Sequence, residues 1–176
     1  MLREDQIVRY GRQILLRELG GKGQERLLSS PVRVLGHGPA IDDAVAWLLA
    51  GGTPVELPPG FTPSGFPPDP LNPDAKSPLP PVLELLPADL RSTARTQVVV
   101  GAGIAFRTAA ACDTCWAALL DLLGPAGPMA PVGSLAALAA QRLVLGWAEP
   151  LGLVLWKDGR FEAAPIPGCT HAPKHE

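Results

Sequence analysis

The chain lacks a dominant charge, a long apolar run and enough cysteine for a disulfide framework. Fifteen Lys and Arg stand against 17 Asp and Glu, a net charge of −2, so the strong positive field that non-specific nucleic-acid binding draws on is missing and no nucleic-acid partner is expected. No stretch approaches the roughly 18 apolar residues of a spanning helix, and the charged start Met1-Leu2-Arg3-Glu4-Asp5 has no apolar segment behind it like that of a signal peptide. These absences predict a soluble, cytoplasmic protein with no membrane partner. Three cysteines are an odd count, and Cys112 and Cys115 are spaced C-x-x-C. That argues against a secreted disulfide scaffold and towards a metal or redox site.

What is abundant is proline. Of 21 prolines, 12 fall between Pro54 and Pro87, a stretch that can hold little helix and no central strand. The 176 residues suit one domain, since domains average roughly 100–200 residues. The expectation is therefore a single domain, 1–176, with an irregular proline-rich segment at 56–80.

Apolar spacing predicts a helix over 4–19, with Ile7, Tyr10, Ile14, Leu15 and Leu19 near one face, Arg9, Arg12, Gln13 and Arg17 opposite, and Gly20-Gly21 as its stop. Residues 32–35 read as a strand, Gly36-His37-Gly38-Pro39 as a turn, and 40–50 as a helix that buries Ile41, Ala44, Val45, Leu48 and Leu49. This is half of a nucleotide-binding unit. A stunted strand follows near Val55-Glu56-Leu57, order returns over 81–86, and 97–100 (QVVV) fits a strand buried on both faces and ended by Gly101-Ala102-Gly103. Residues 116–123 read as a helix. The helix at 132–145 is so apolar that it should be engulfed or lie at a subunit interface. Residues 151–156 and 160–164 form a hairpin around Lys157-Asp158-Gly159.

The order of these pieces resembles the E1-like adenylating enzymes of the ThiF/MoeB/HesA family, which use ATP to activate the C-terminal carboxylate of a ubiquitin-like sulfur carrier or a related peptide. Four stretches carry the resemblance: Arg9-Tyr10-Gly11-Arg12-Gln13, the strand, glycine turn and helix over 32–52, Gly127-Pro128-Met129-Ala130-Pro131 with Val132-Gly133-Ser134-Leu135, and Cys112-x-x-Cys115 with Pro167-Gly168-Cys169. The implied fold is α/β: a shortened, Rossmann-like, mostly parallel sheet with helices, a C-terminal antiparallel strand pair and a candidate zinc knuckle.

The departures from that family predict a degenerate member. The middle of the nucleotide site is missing, and Pro58 and Pro59 stand where an acidic ribose-binding residue belongs, while nearby Glu56 lies within the strand. In the phosphate turn Gly36 and Gly38 remain, but Pro39 removes an N–H, Ile41 takes the third glycine position, and Asp42 and Asp43 place two carboxylates where phosphates would sit. ATP is therefore not expected to bind this chain alone; Gly36-His37-Gly38 also reads as a plain tight turn. No cysteine lies in 123–128 to form a thioester, and His37 has no evident Ser or Cys partner.

The resemblance implies zinc held by Cys112, Cys115 and Cys169, with His171 or His175 as fourth ligand because Ala172 occupies the family position. Two buried thiols are the plainer alternative, and a thioredoxin-like role lacks its βαβ setting. The resemblance also implies that Arg12 is delivered to the nucleotide of a partner subunit, a task that suits a planar, always-charged guanidinium. The expected assembly is a homodimer, or a heterodimer with a full-length E1-like enzyme, acting on a ubiquitin-like carrier or peptide. A scaffold that binds such a carrier or peptide without ATP chemistry is the competing expectation, and a solvated arginine face the plain one.

Overall fold

The structure, a computed structural model, describes residues 1–61, 80–125, 130–164 and 166. Short runs of Val, Leu and Ile form seven strands among these residues: β1 (Val32–Val34), β2 (Val55–Glu56), β3 (Leu83–Pro87), β4 (Gln97–Val100), β5 (Gly103–Arg107), β6 (Leu151–Lys157) and β7 (Arg160–Ala163). They join in one sheet ordered β2-β1-β3-β4-β5-β6-β7. The pairs β1/β2, β1/β3 and β3/β4 are parallel; β4/β5, β5/β6 and β6/β7 are antiparallel. The helices are α1 (Glu4–Ile14), α2 (Gly20–Leu28), α3 (Pro39–Ala50), α4 (Asp113–Leu123) and α5 (Ala130–Leu145). This is the Rossmann-like α/β architecture expected.

Strand periodicity of two sorts the side chains onto two faces. Val32, Val34, Leu83, Leu85, Val98, Val100 and Ile104 point to one face and pack under α3 and α5. Leu86, Val99, Ala105, Leu151 and Leu153 point to the other and pack under α4 through Trp116, Leu119 and Leu123. The two helices on the first face approach closely because α5 offers small residues: a Cβ on Gly133 would meet Ala40 O at 2.5 Å and Asp43 Oδ2 at 2.6 Å.

Three expectations change: the extent of the first helix, the face that it buries and the size of the antiparallel part. The helix expected over 4–19 ends at Ile14, and Gly20-Gly21 begins α2 instead of closing α1. Gly20 takes φ +58°, which turns the chain into a second helix. Of the expected α1 face, Tyr10 is buried, whereas Ile7 and Leu15 are exposed. Gly101-Ala102-Gly103 ends β4 as expected, but as a hairpin turn into an unexpected strand: Gly101 N–H donates to Gly103 O at 2.9 Å, and β5 runs back beside β4. The antiparallel part is therefore larger than a terminal pair. β5 escapes sequence reading because four of its five residues are buried, which removes the polar alternation that marks a half-exposed strand. As one of its two expectations had it, α5 is engulfed by its own chain: Val132, Ala136, Ala137, Ala139, Ala140 and Val144 are all buried, while Leu138 and Arg142 are exposed.

The hairpin at the end forms as expected, with Asp158 at φ 49° and Gly159 at φ 81°, the pair of left-handed residues that a tight two-residue turn requires. Among the described residues no helix is long and apolar enough to cross a membrane.

Candidate functional site: the glycine turn, α1 and the Cys112/Cys115 helix end

β1 has β2 on one side and β3 on the other, so the chain reverses direction across the sheet at β1/β3. In open α/β sheets the crevice beyond the carboxyl ends of such strands is where ligands bind. The turn Gly36-His37-Gly38 sits there. Gly36 has φ 76°, and a Cβ on it would lie 2.9 Å from Leu90 Cδ1 and 3.0 Å from Pro87 Cγ, so both backbone angle and space require glycine. Two hollows flank His37. One, of about 390 Å³, is lined by Gly36, Gly38, Asp42, Pro58, Pro59 and Phe61 among others. The other, of about 520 Å³, lies towards Pro87, Asp89, Arg91 and Gly124.

The chemistry of the first hollow opposes a polyphosphate. A phosphate site at a helix N-terminus works through free backbone N–H groups and the helix dipole. Here Pro39 occupies the first position of α3 and has no N–H, and the Gly38 N–H makes a long hydrogen bond, 3.5 Å, to Asp42 Oδ1. Among the described residues the lining holds the Asp42 carboxylate and no Lys or Arg. Ile41, at the third glycine position, is buried in the core under the sheet. Glu56 is committed elsewhere: its Oε2 accepts from Arg33 Nε at 3.1 Å across the β1/β2 pair, and Arg33 Nη1 lies 3.5 Å from Glu84 Oε1 on the next strand.

Arg12 is placed by its neighbours. In the first turn of α1 Arg3 Nε donates to Asp5 Oδ1 at 3.2 Å, which holds the Asp5 carboxyl below its ordinary pKa, and Gln6 Oε1 accepts from the Arg3 N–H at 3.0 Å. Tyr10 then anchors the helix. Gly52, at φ 84°, receives the ring, and a Cβ there would lie 2.8 Å from Tyr10 Cζ. Gln24 on α2 is wholly buried alongside, its Nε2 donating to Gly51 O at 3.0 Å. With Tyr10 docked, Arg12 is exposed, and among the described residues it makes no hydrogen bond or ion pair. Tyr10 packs at the C-terminal end of α3, while the glycine turn caps its N-terminal end. The 12 residues of α3 separate the two by about 18 Å. The fold does not bring Arg12 to its own glycine turn.

Cys112 caps the N-terminus of α4 and Cys115 lies in its first turn, both partly buried. Beside them Arg107 is buried; its Nη1 pairs with Asp113 Oδ1 at 2.7 Å, its Nη2 donates to Ala94 O at 2.7 Å, and its guanidinium lies 5.2 Å from the Trp116 ring. Register places this corner at the opposite end of the sheet from the glycine turn, because Arg107 pairs with Gln97 at the start of β4. One helix turn thus presents two thiols, as a zinc knuckle requires. Cys169, His171 and His175 lie outside the described residues, among which no group of three metal-ligating side chains occurs.

Sequence reading did not find the buried Gln24 or the exposure of Leu138 and Trp147. A leucine in an apolar helix reads as core, and only the packing shows that Leu138 faces out.

The chain matches no protein-family profile and no curated protein. Among solved structures it is similar to PaaA, with a TM-score of 0.57 at 14% identity over 94% of this chain and 84% of that one. It is also similar to MccB of E. coli, with a TM-score of 0.49 at 12% identity over 93% and 71% of the two chains. At this identity the likeness to PaaA shows a shared fold and nothing finer.

Proposed function

We propose that this chain is a half-site subunit of the E1-like type, which pairs with a full-length ThiF-like adenylating enzyme and places Arg12 in that partner's nucleotide site. The substrate of the pair is a ubiquitin-like sulfur carrier or a peptide. The observation that carries the reading is a contrast within one chain. Its own phosphate turn is closed by Pro39 and by Asp42 on the Gly38 N–H, while Arg12 stands exposed and unpaired on an anchored helix. The RYxRQ-like, glycine-turn and zinc-pair motifs support it, and the fold shared with PaaA is compatible with it.

The test is adenylation reconstituted with the enzyme that co-purifies with this chain. Arg12→Ala is expected to slow it on the order of 10²-fold, the usual cost of removing one preorganised charge-stabilising donor, with the complex still intact on size exclusion. An unchanged rate overturns the arginine role. The open hollows beside His37 favour a second reading, a scaffold that holds the carrier or peptide without ATP chemistry; carrier retained equally by wild type and Arg12→Ala, with no enzyme recovered, supports that one.

The same reading gives zinc a structural place, on Cys112, Cys115, Cys169 and His171 or His175, where it would tie the tail to the start of α4. Elemental analysis of protein never exposed to chelator is expected to find about one zinc per chain, lost in Cys112→Ser. Zinc near zero removes this part alone.

A further inference from the structure

A hollow of about 440 Å³ opens at the end of the sheet opposite the glycine turn, between α2, the last turn of α5 and the loops that enter β3 and β4 and leave β5. Arg26, Ser30, Leu83, Thr96, Thr108 and Val144 are among the residues that line it. Among the described residues Arg26 is the one ionisable side chain of that lining, which otherwise holds three hydroxyls and apolar groups. No carboxylate of those residues lies within ion-pair distance of Arg26, whose Nη1 reaches Leu145 O at a long 3.5 Å. Ser30 is 9% exposed, and among the described residues neither its hydroxyl nor that of Thr96 has a hydrogen-bond partner. Thr108 Oγ1 accepts from the Ala110 N–H at 3.2 Å, which leaves its own O–H to donate. At the rim Arg95 Nη2 reaches Ala109 O at 3.5 Å while its Nη1 pairs with Asp113 at 3.0 Å. Arg107 pairs with the same carboxylate at 2.7 Å, so Asp113 is already matched by two cations.

We propose that this hollow binds a small molecule through an oxyanion, a phosphate or carboxylate group that accepts from Arg26 and from the hydroxyls of Ser30, Thr96 and Thr108, with the apolar body of the molecule on Leu83 and Val144. The volume falls within the range of about 300–1,000 Å³ usual for small-molecule sites. The donor set selects the ligand. A guanidinium and free hydroxyls all donate, and an oxyanion is the group that accepts several such bonds at once, with charge assistance from the arginine. A cationic ligand would meet Arg26 with no carboxylate in the lining to offset it, and a purely apolar one would leave the hydroxyls unpaired at a cost. Arg26 also stands at the C-terminal end of α5, where a cation offsets the helix dipole. That role accounts for its charge but not for a nine-tenths-buried serine without a partner. The inference is independent of the adenylation reading, since neither Arg12 nor the glycine turn takes part in it.

The test follows amide NMR shifts of the isotope-labelled whole chain during titration with four probes of similar size: phenyl phosphate, benzoate, benzyl alcohol and benzylamine. At least one of the two anions is expected to shift the amides of Ser30, Thr96 and Thr108 saturably, more weakly as salt rises, and the alcohol and the amine are expected not to. Saturation by phenyl phosphate alone assigns a phosphate ester, by benzoate alone a carboxylic acid, and by both an oxyanion site that takes either. Arg26→Gln is expected to weaken binding about tenfold or more, as loss of a charged hydrogen bond does, and Ser30→Ala roughly threefold or more. Arg26 is exposed, so its replacement should leave the fold intact, which thermal unfolding checks; Ser30→Ala keeps the test open should that variant fail to fold. No saturable shift with either anion, binding of benzyl alcohol or benzylamine as tight as that of the anions, or shifts confined to the glycine turn overturns the proposal. Anion binding unchanged in both variants does so too, and leaves Arg26 as a cap on α5 alone.

Discussion

One face of the sheet is two surfaces. Over β5 and β6 it is covered by α4, and Leu86, Val99, Ala105, Leu151 and Leu153 meet Trp116, Leu119 and Leu123 in a buried cluster. Over β2, β1 and the start of β3 no described helix covers it, and the same face carries Glu56, Arg33 and Glu84 side by side in register. A parallel sheet ordinarily needs helices on both faces. Here the chain between β2 and β3 is the proline-rich segment and that between β3 and β4 is 88–96, without a helix, held by Gln97 Nε2 on Ser92 O and by Arg107 on Ala94 O. Where no described helix covers the sheet the strands carry charge, as outward-facing positions do. This half of the sheet is also the one that carries the turn Gly36-His37-Gly38.

Two substitutions separate these surfaces. Leu119→Ala, which empties a fully buried position under α4, is expected to cost about 2–5 kcal/mol, read as a lower urea midpoint. Arg33→Met, which removes the ladder of ion pairs at a position with 45% side-chain exposure, is expected to change stability by less than about 1 kcal/mol because water screens such pairs. A cost for Arg33→Met equal to that of Leu119→Ala would mean that the charged half is buried by something beyond the described elements, and would break the comparison.

Much of this was legible in advance. QVVV is buried at all four positions as a two-sided strand should be, α3 buries four of its five expected residues fully, and Asp158-Gly159 makes the expected turn. Local signals of this kind, periodicity and left-handed turn residues, need no partner to be read. The α1 boundary and β5 were not legible. Leu15 and Leu19 fit the helix period as well as Tyr10 does, and only the seat at Gly52 selects Tyr10. GIAFR carries no alternation because both of its neighbours are strands. At the candidate site the loss of phosphate donors was legible from Pro39, Ile41 and Asp42, whereas the bond from the Gly38 N–H to Asp42 was not, because it depends on how the turn meets the first turn of α3.

By itself the sequence determined the α/β order of the elements and a glycine turn whose helix begins with Pro39 and carries Asp42, since these follow from residue types and short spacings. Tertiary structure decided the rest: that α5 is core, that Arg12 faces solvent far from its own glycine turn, and that Tyr10 seats at Gly52. Each of those depends on which residues, distant in sequence, come to lie side by side, and no local pattern encodes that.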